Sequence, residues 1–330
     1  MMAPLISLTF ALHVALAGPD WSPDVFDYNR PARLDVRDSK DPGRVKVARA
    51  THQHLVFRYV DGQDVPALIT LPRKGRPPFP VVMLVHAYAS TREQVTHYIA
   101  PAMLERGFAT IAIDLPMHGD RPGPPTSLFS EEDPKKSHDQ LVRAVTDLRQ
   151  AIDLAESRRE LDTSRGIYMV GYSMGGWLAA LAAGADRRVS ALVLMVPVSE
   201  AGPRGLPVRP KDGKVERPLL DEFPNLRPTG AVAHFAPRPV LIQAGRLDLH
   251  LPKAPVDALY AAAREPKELR WYDSGHVLPD KAIEEAGNWL LQRAAGHETN
   301  AGGAGKGVSG GEGARKGAEM ERMREGERSR

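Results

Sequence analysis

The sequence predicts an α/β architecture, a mostly parallel central sheet of about eight strands with helices on both faces. Three observations predict it. Apolar β-rich runs alternate with segments whose apolar residues recur at helical spacing, the pattern of strands joined by helical crossovers. Several of the runs, Val81 to Val85 and Ala191 to Val196 among them, are apolar without a break, as strands covered on both faces are. Hydrophobic residues make up 42% of the 330, and there is no cysteine, so the core is large and has no disulfide framework, thiol nucleophile or thiolate metal site. A formal net charge of +3 and the lack of any basic run with interleaved aromatics leave nothing that points to nucleic acid.

Residues 1–17 are apolar and end in Ala15-Leu16-Ala17, a small-x-small pattern before Gly18-Pro19-Asp20. The expectation is a cleaved signal peptide and an exported protein, periplasmic or secreted, with no membrane span in the mature chain. The alternative, a cytoplasmic protein with an apolar N-terminus, rests on the missing Lys or Arg before the apolar run. Residues 18–50 mix Trp21, Phe26 and Tyr28 with prolines and charges and predict an irregular arm packed on a catalytic domain at 51–295.

Leu55 to Val60 and Val65 to Leu71, split by a polar turn, predict antiparallel strands, and Val81 to Val85 a buried parallel one. Ser90 and Glu93 form a capping-box pattern, followed by a helix face of Val95, Tyr98, Ile99, Ala102 and Met103 that ends at Gly107. A strand follows over Phe108 to Leu115, then a long helix after Pro134 with Leu141, Ala144, Val145, Leu148 and Ile152 on its apolar face. Ala191 to Val196, Pro239 to Gln243 and Leu269 to Tyr272 are further strands; Val256, Leu259 and Tyr260, and then Ile283, Ala286, Trp289 and Leu290, mark the closing helices. Residues 199–235 are rich in Pro, Arg and Lys and predict a small cap over the sheet edge. From residue 296 the composition turns to Gly, Glu, Lys and Arg and predicts a disordered tail to 330.

The chemistry centres on Gly171-Tyr172-Ser173-Met174-Gly175-Gly176. The apolar run Ile167 to Val170 precedes it and an Ala/Leu-rich run comes after, so the motif reads as strand, sharp turn and helix, the setting of a nucleophile elbow. Small flanking residues let the turn close and place the Ser173 hydroxyl at the carboxyl edge of the sheet, by the positive end of a helix. A serine needs a base and the base an orienting acid, and in such sheets both come from loops at the carboxyl ends of later strands. Asp248 follows one late strand and His276 another, giving the chain order Ser173, Asp248, His276. His250 is a competing base and Asp273 a competing acid; Asp114, His118 and Asp120 have a spacing that could ligate a metal.

His86-Ala87-Tyr88, Asp114-Leu115-Pro116-Met117-His118-Gly119, the GYSMGG stretch, Gly245 with Asp248, and Gly275-His276 together resemble the α/β-hydrolase fold. The resemblance is closest to the dienelactone-hydrolase-like and acetyl-xylan-esterase-like serine esterases and covers residues 54–295. It implies that the backbone N–H groups of Met174 and Tyr88, or of Ala87 in place of Tyr88, form an oxyanion hole, with His86 supporting that loop. It also implies that no metal or other cofactor is needed. A serine where dienelactone hydrolase has cysteine favours ester chemistry. The expected function is therefore hydrolysis of a small-molecule carboxylic ester through an acyl-enzyme intermediate. The alternatives are a serine peptidase of the prolyl-oligopeptidase-like type and a non-catalytic binding protein on the same fold. Against the peptidase, the 199–235 insertion is short and proline-rich, room for a small lid only. Oligomeric state has no signature in the sequence.

Overall fold

A computed structural model describes residues 21–40, 43, 46–58, 62–130, 133–199 and 219–303. The expected signal peptide at 1–17 lies outside the described residues. The chain divides into two compact units, one reaching Asn288 and the other beginning at Trp289.

The first unit is built on an open sheet of ten strands, two more than expected. These are β1 (Val36–Asp38), β2 (Ala50–Arg58), β3 (Asp64–Pro72), β4 (Phe79–Val85), β5 (Ala109–Ile113), β6 (Leu161–Asp162), β7 (Ile167–Tyr172), β8 (Val189–Met195), β9 (Val240–Gly245) and β10 (Lys267–Tyr272). The order is β1-β2-β3-β5-β4-β7-β8-β9-β10, with the two-residue β6 beside β4. From β5 to β10 every pairing is parallel; β1 to β3 join antiparallel, β3 alongside β5. β4, β5, β7, β8 and β9 are buried almost without a break, which is why their sequences are apolar apart from Thr110, Ser190 and Gln243.

The helices are α1 (Arg92–Glu105), α2 (Pro134–Glu156), α3 (Met174–Ala185), α4 (Leu219–Glu222), α5 (Pro228–Phe235), α6 (Lys253–Ala262) and α7 (Asp280–Gly303). None among the described residues is long and apolar enough to cross a membrane. The cap of α1 is Thr91, not Ser90: the Thr91 hydroxyl accepts from the Gln94 N–H at 3.2 Å. Gly107, at φ +81°, ends the helix as its spacing predicts.

Three expectations change. The arm is not wholly irregular, since β1 pairs with β2. Its Val-Arg-Asp sequence has no apolar alternation to reveal a strand; Arg37 pairs with Asp64, and Arg58 with Asp35 at 3.7 Å, along this charged edge. The second half of the 199–235 insertion is no cap, because α5 packs on α3 and on Trp21 where Gly184 and Gly230 leave room. Residues 200–218 lie outside the described residues. Helical backbone continues to Gly303, past residue 296 where a tail was expected; residues 304–330 lie outside the described residues.

The sheet positions the site through its switch point. The chain leaves β4 for β5 on one side and returns to β7 on the other, so the loops after β4 and β7 face each other at the carboxyl edge. There α3 runs directly against the end of β4: a Cβ on Gly175 would collide with the carbonyls of Val85 and His86. Gly175→Ala is therefore expected to destabilise the fold by about 1–3 kcal/mol, the usual penalty of overpacking. Urea unfolding checks this, and an unchanged midpoint and slope would show that the approach is not tight.

Candidate active site

Ser173 joins β7 to α3 with φ +55° and ψ −117°, a backbone conformation that a residue with a side chain adopts only under strain. The turn closes because Gly171 lacks a Cβ, which would strike the Gly175 carbonyl and the Ala179 side chain. Burial of α3 holds the strain in place. From Met174 to Gly184 every residue of this helix is buried, and Trp177 donates its indole N–H to the Leu226 carbonyl at 2.7 Å.

The loops after β9 and β10 bring the other two groups to this apex. His276 Nε2 is 3.0 Å from Ser173 Oγ, and His276 Nδ1 is 2.8 Å from Asp248 Oδ2. With Nδ1–H donating to the carboxylate, the Nε2 lone pair faces the serine hydroxyl. Asp248 is 7% exposed, and its other oxygen accepts from the backbone N–H groups of His250 at 2.8 Å and Leu251 at 3.1 Å. Both carboxylate oxygens are thus occupied and the group cannot rotate away from the ring.

The competing residues stand elsewhere. Asp273 has a side chain 90% exposed and pairs with Arg246 at 3.4 Å. The His250 ring lies edge-on to His276 at 5.4 Å, while Ser173 Oγ is met by His276. Asp114, His118 and Asp120 are engaged as braces: Arg92 pairs with Asp114 and, at 2.7 Å, with Asp120, and Asp114 also accepts from the Arg92 and Asp120 N–H groups. Among the described residues no cluster of His, Asp or Glu could hold a metal ion.

Two buried histidines fix the loop after β4. His86 Nδ1 donates to the Ala87 carbonyl at 2.8 Å, and its Nε2 accepts from the Leu115 N–H at 3.1 Å. His118 does the same in the other direction, donating to the Pro116 carbonyl at 2.8 Å and accepting from the Ala89 N–H at 3.1 Å, where Ala89 has φ +55°. Each ring needs one bare nitrogen, so each must be neutral. Burial enforces this, pushing His86 down to about 3 and His118 below the usual imidazole range. The Ala87 carbonyl is held on the loop side by His86 and by the Ser90 N–H at 3.2 Å. In a trans peptide the Tyr88 N–H then points the opposite way. Among the described residues neither it nor the N–H of Met174, the first residue of α3, has a hydrogen-bond acceptor.

Sequence reasoning missed the group that holds the loop of His276. The Tyr172 hydroxyl donates to the His276 carbonyl at 2.7 Å and accepts from the Leu278 N–H at 3.1 Å; Tyr98 donates to the Leu278 carbonyl at 2.8 Å. Burial pushes the Tyr172 phenol up, so it stays protonated and able to donate. The residue before Ser173 therefore grips the loop of His276. The only sequence signal for this is a tyrosine inside the Gly-x-Ser-x-Gly motif.

A family model described as alpha/beta hydrolase fold matches residues 80–248, just over half of the chain. An uncharacterised protein of Pseudomonas aeruginosa is 26% identical over 147 residues, which are 44% of this chain and 37% of that protein. The chain thus matches little more than a third of that relative's length. Among solved structures, acetyl xylan esterase 1 from Thermoanaerobacterium sp. JW/SL YS485 superposes with a TM-score of 0.61 at 20% identity, covering 82% of this chain and 91% of that one. The acetyl xylan esterase from Paenibacillus sp. R4 gives 0.61 at 19%, covering 82% and 92%. Est1E from Butyrivibrio proteoclasticus, solved with ferulic acid, gives 0.57 at 20%, covering 72% and 98%. At these identities the likeness is one of fold.

The braces predict two outcomes. Tyr172→Phe leaves a carbonyl and an N–H without their partner, so labelling of Ser173 by a fluorophosphonate should slow about tenfold, with the melting temperature lowered by only a few degrees. An unchanged labelling rate would show that the base needs no such grip. A histidine with a depressed folded pKa is protonated first in the unfolded chain, so its stabilisation is complete above about pH 6.5 and is lost as pH falls toward about 3. Nitrogen NMR should find His86 in the neutral Nδ1–H form at pH 5 while stability already declines below pH 7. A His86 that titrates near the ordinary value would contradict this.

Proposed function

The chain belongs to the alpha/beta hydrolase fold family, and from that premise we propose that it is a serine hydrolase of carboxylic esters working through an acyl-enzyme intermediate. One observation carries the reading: two hydrogen bonds in series link Ser173 Oγ, His276 and the buried Asp248. Ser173 Oγ attacks the ester carbonyl as His276 Nε2 takes its proton, and Asp248 stabilises the imidazolium and keeps Nδ1 protonated. The carbonyl oxygen gains negative charge and is received by the N–H groups of Met174 and Tyr88, with the N-terminus of α3 adding to the field. Collapse of the tetrahedral species breaks the bond to the alcohol oxygen, which leaves with the proton held on Nε2. Water then repeats the sequence on the acyl-serine, with His276 again as base, and releases the acid.

Esters are preferred over amides on chemical grounds. An amine must be protonated in step with C–N cleavage, so an amide demands more remote binding energy to align it. The esterase names of several fold neighbours agree with this choice.

Ser173→Ala and His276→Ala should each abolish turnover to a similar extent, and Asp248→Asn should lower kcat by about 10⁴-fold, since the three act as a unit. Full activity in Ser173→Ala would end the proposal. With the wild-type protein, kcat/KM for acetyl or butyryl nitrophenyl esters should exceed that for peptidyl anilides by at least about 10²-fold. Equal or greater activity on anilides would favour the peptidase, and failure to react with either substrates or a fluorophosphonate would favour a binding protein.

A further inference from the structure

Beside the apex of the elbow lies a cavity of about 290 Å³. Three of its lining residues are chain neighbours of the groups that react. Ala87 belongs to the loop after β4, Tyr172 precedes Ser173, and Val277 follows His276. Val95 and Tyr98 of α1 line it as well. Ser90 and Gln94 are neutral polar residues of its lining; Gln94 stands at an exposed position on α1, and Val277 forms a lip that is 72% exposed. No charged side chain among the described residues lines it.

The two tyrosines decide its chemistry. Their hydroxyls are committed to the backbone of residues 276–278, so what they offer the cavity is ring surface. The rings meet edge to face, 5.7 Å apart at 79°, and form an aromatic corner. A charged substituent placed against the rings would lose part of its water and find no charged partner in the lining. The volume lies just below that of whole small-molecule pockets, about 300–1,000 Å³, which suits one substituent of a substrate and not an extended polymer.

We propose that this cavity binds one uncharged, apolar substituent of the ester, a short alkyl chain or a single aromatic ring. The inference rests on the esterase reading and names the substrate class for that site. The substituent can belong to the acid or to the alcohol of the ester, and the chemistry of the pocket is the same in both cases.

The test uses the full chain and two ester series. One has methyl esters of straight-chain acids from acetate to octanoate; the other has acetates of straight-chain alcohols from methanol to hexanol. In one series kcat/KM should rise about fourfold per methylene, the worth of one buried CH₂, until the cavity is filled. Methyl phenylacetate or benzyl acetate should fall with the better members of that series. The monomethyl ester of succinate, charged at its far end, should be at least about 10²-fold poorer than methyl pentanoate if the acid side occupies the cavity. Acetylcholine should be comparably poor against hexyl acetate if the alcohol side does. Gln94→Trp, on the exposed face of α1, narrows the mouth and should flatten the rising series, which also assigns the cavity to acid or alcohol. Two flat series overturn the pocket, as do charged esters accepted as readily as neutral ones, or a rise in length that Gln94→Trp leaves untouched. Fluorophosphonate labelling separates the two levels of failure. A labelled Ser173 with flat series overturns the pocket alone, whereas an unlabelled Ser173 with no ester turnover overturns the esterase reading and the pocket with it.

Discussion

The structure turns on one backbone constraint, the φ of +55° at Ser173. A residue with a side chain held in that region costs about 1–3 kcal/mol, and it persists only where the surroundings leave no alternative. Here they leave none. β7 enters the turn between β4 and β8, paired with the first over Tyr168 to Gly171 and with the second from Ile167 to Tyr172, and α3 leaves it buried from Met174 to Gly184. Strand and helix can be this close only because Gly171 and Gly175 present no Cβ to each other or to the end of β4. The strain lifts the serine side chain clear of the sheet, where parallel strands deliver all the other loops.

Those loops are fastened to one another by different chemistry. The loop after β4 is tied to the loop after β5 by two neutral imidazoles, each bridging a carbonyl and an N–H. The same pair of loops is tied to the start of α1 by the buried Arg92 and Asp114, although burial pushes the Asp114 carboxyl up against the pull of Arg92. The loop after β10 is tied to β7 by the Tyr172 hydroxyl. The loop after β9 is folded round Asp248 by two N–H groups. Each loop of the site is thus held by hydrogen bonds from the chain itself, the kind of support that preorganisation of a site requires.

How much of this the sequence discloses depends on how local the cause is. β4, β5, β7, β8 and β9 were legible because each is buried on both sides and so carries a nearly unbroken apolar run. Ser173 was legible because the elbow constrains its neighbours in sequence. The strand β1 was hidden, since its three residues are exposed and charged; α5 was hidden because what it packs against, Trp21 and Gly184, lies far away in the chain. Between Asp248 and Asp273 position along the chain could only suggest an answer. The geometry depends on a loop whose fold is set by its own carboxylate, while Asp273 turns outward to Arg246. The bracing roles of His118, Tyr98 and Tyr172 are tertiary throughout: each joins residues far apart in sequence, and no periodicity records such a bond.

The placement of Tyr172 also bears on how relatives of this chain can diverge. Its ring faces the cavity and its hydroxyl carries the His276 loop, so one side chain serves two structural demands. Tyr98 is placed the same way, one hydroxyl further along the loop. A substitution at either residue changes the wall of the cavity and the hold on the His276 loop in a single step. Ser90, Gln94 and Val277 line the same cavity without joining that clasp. The rim can therefore change shape through Ser90, Gln94 or Val277 without loosening the His276 loop, whereas the two tyrosines cannot change without doing so.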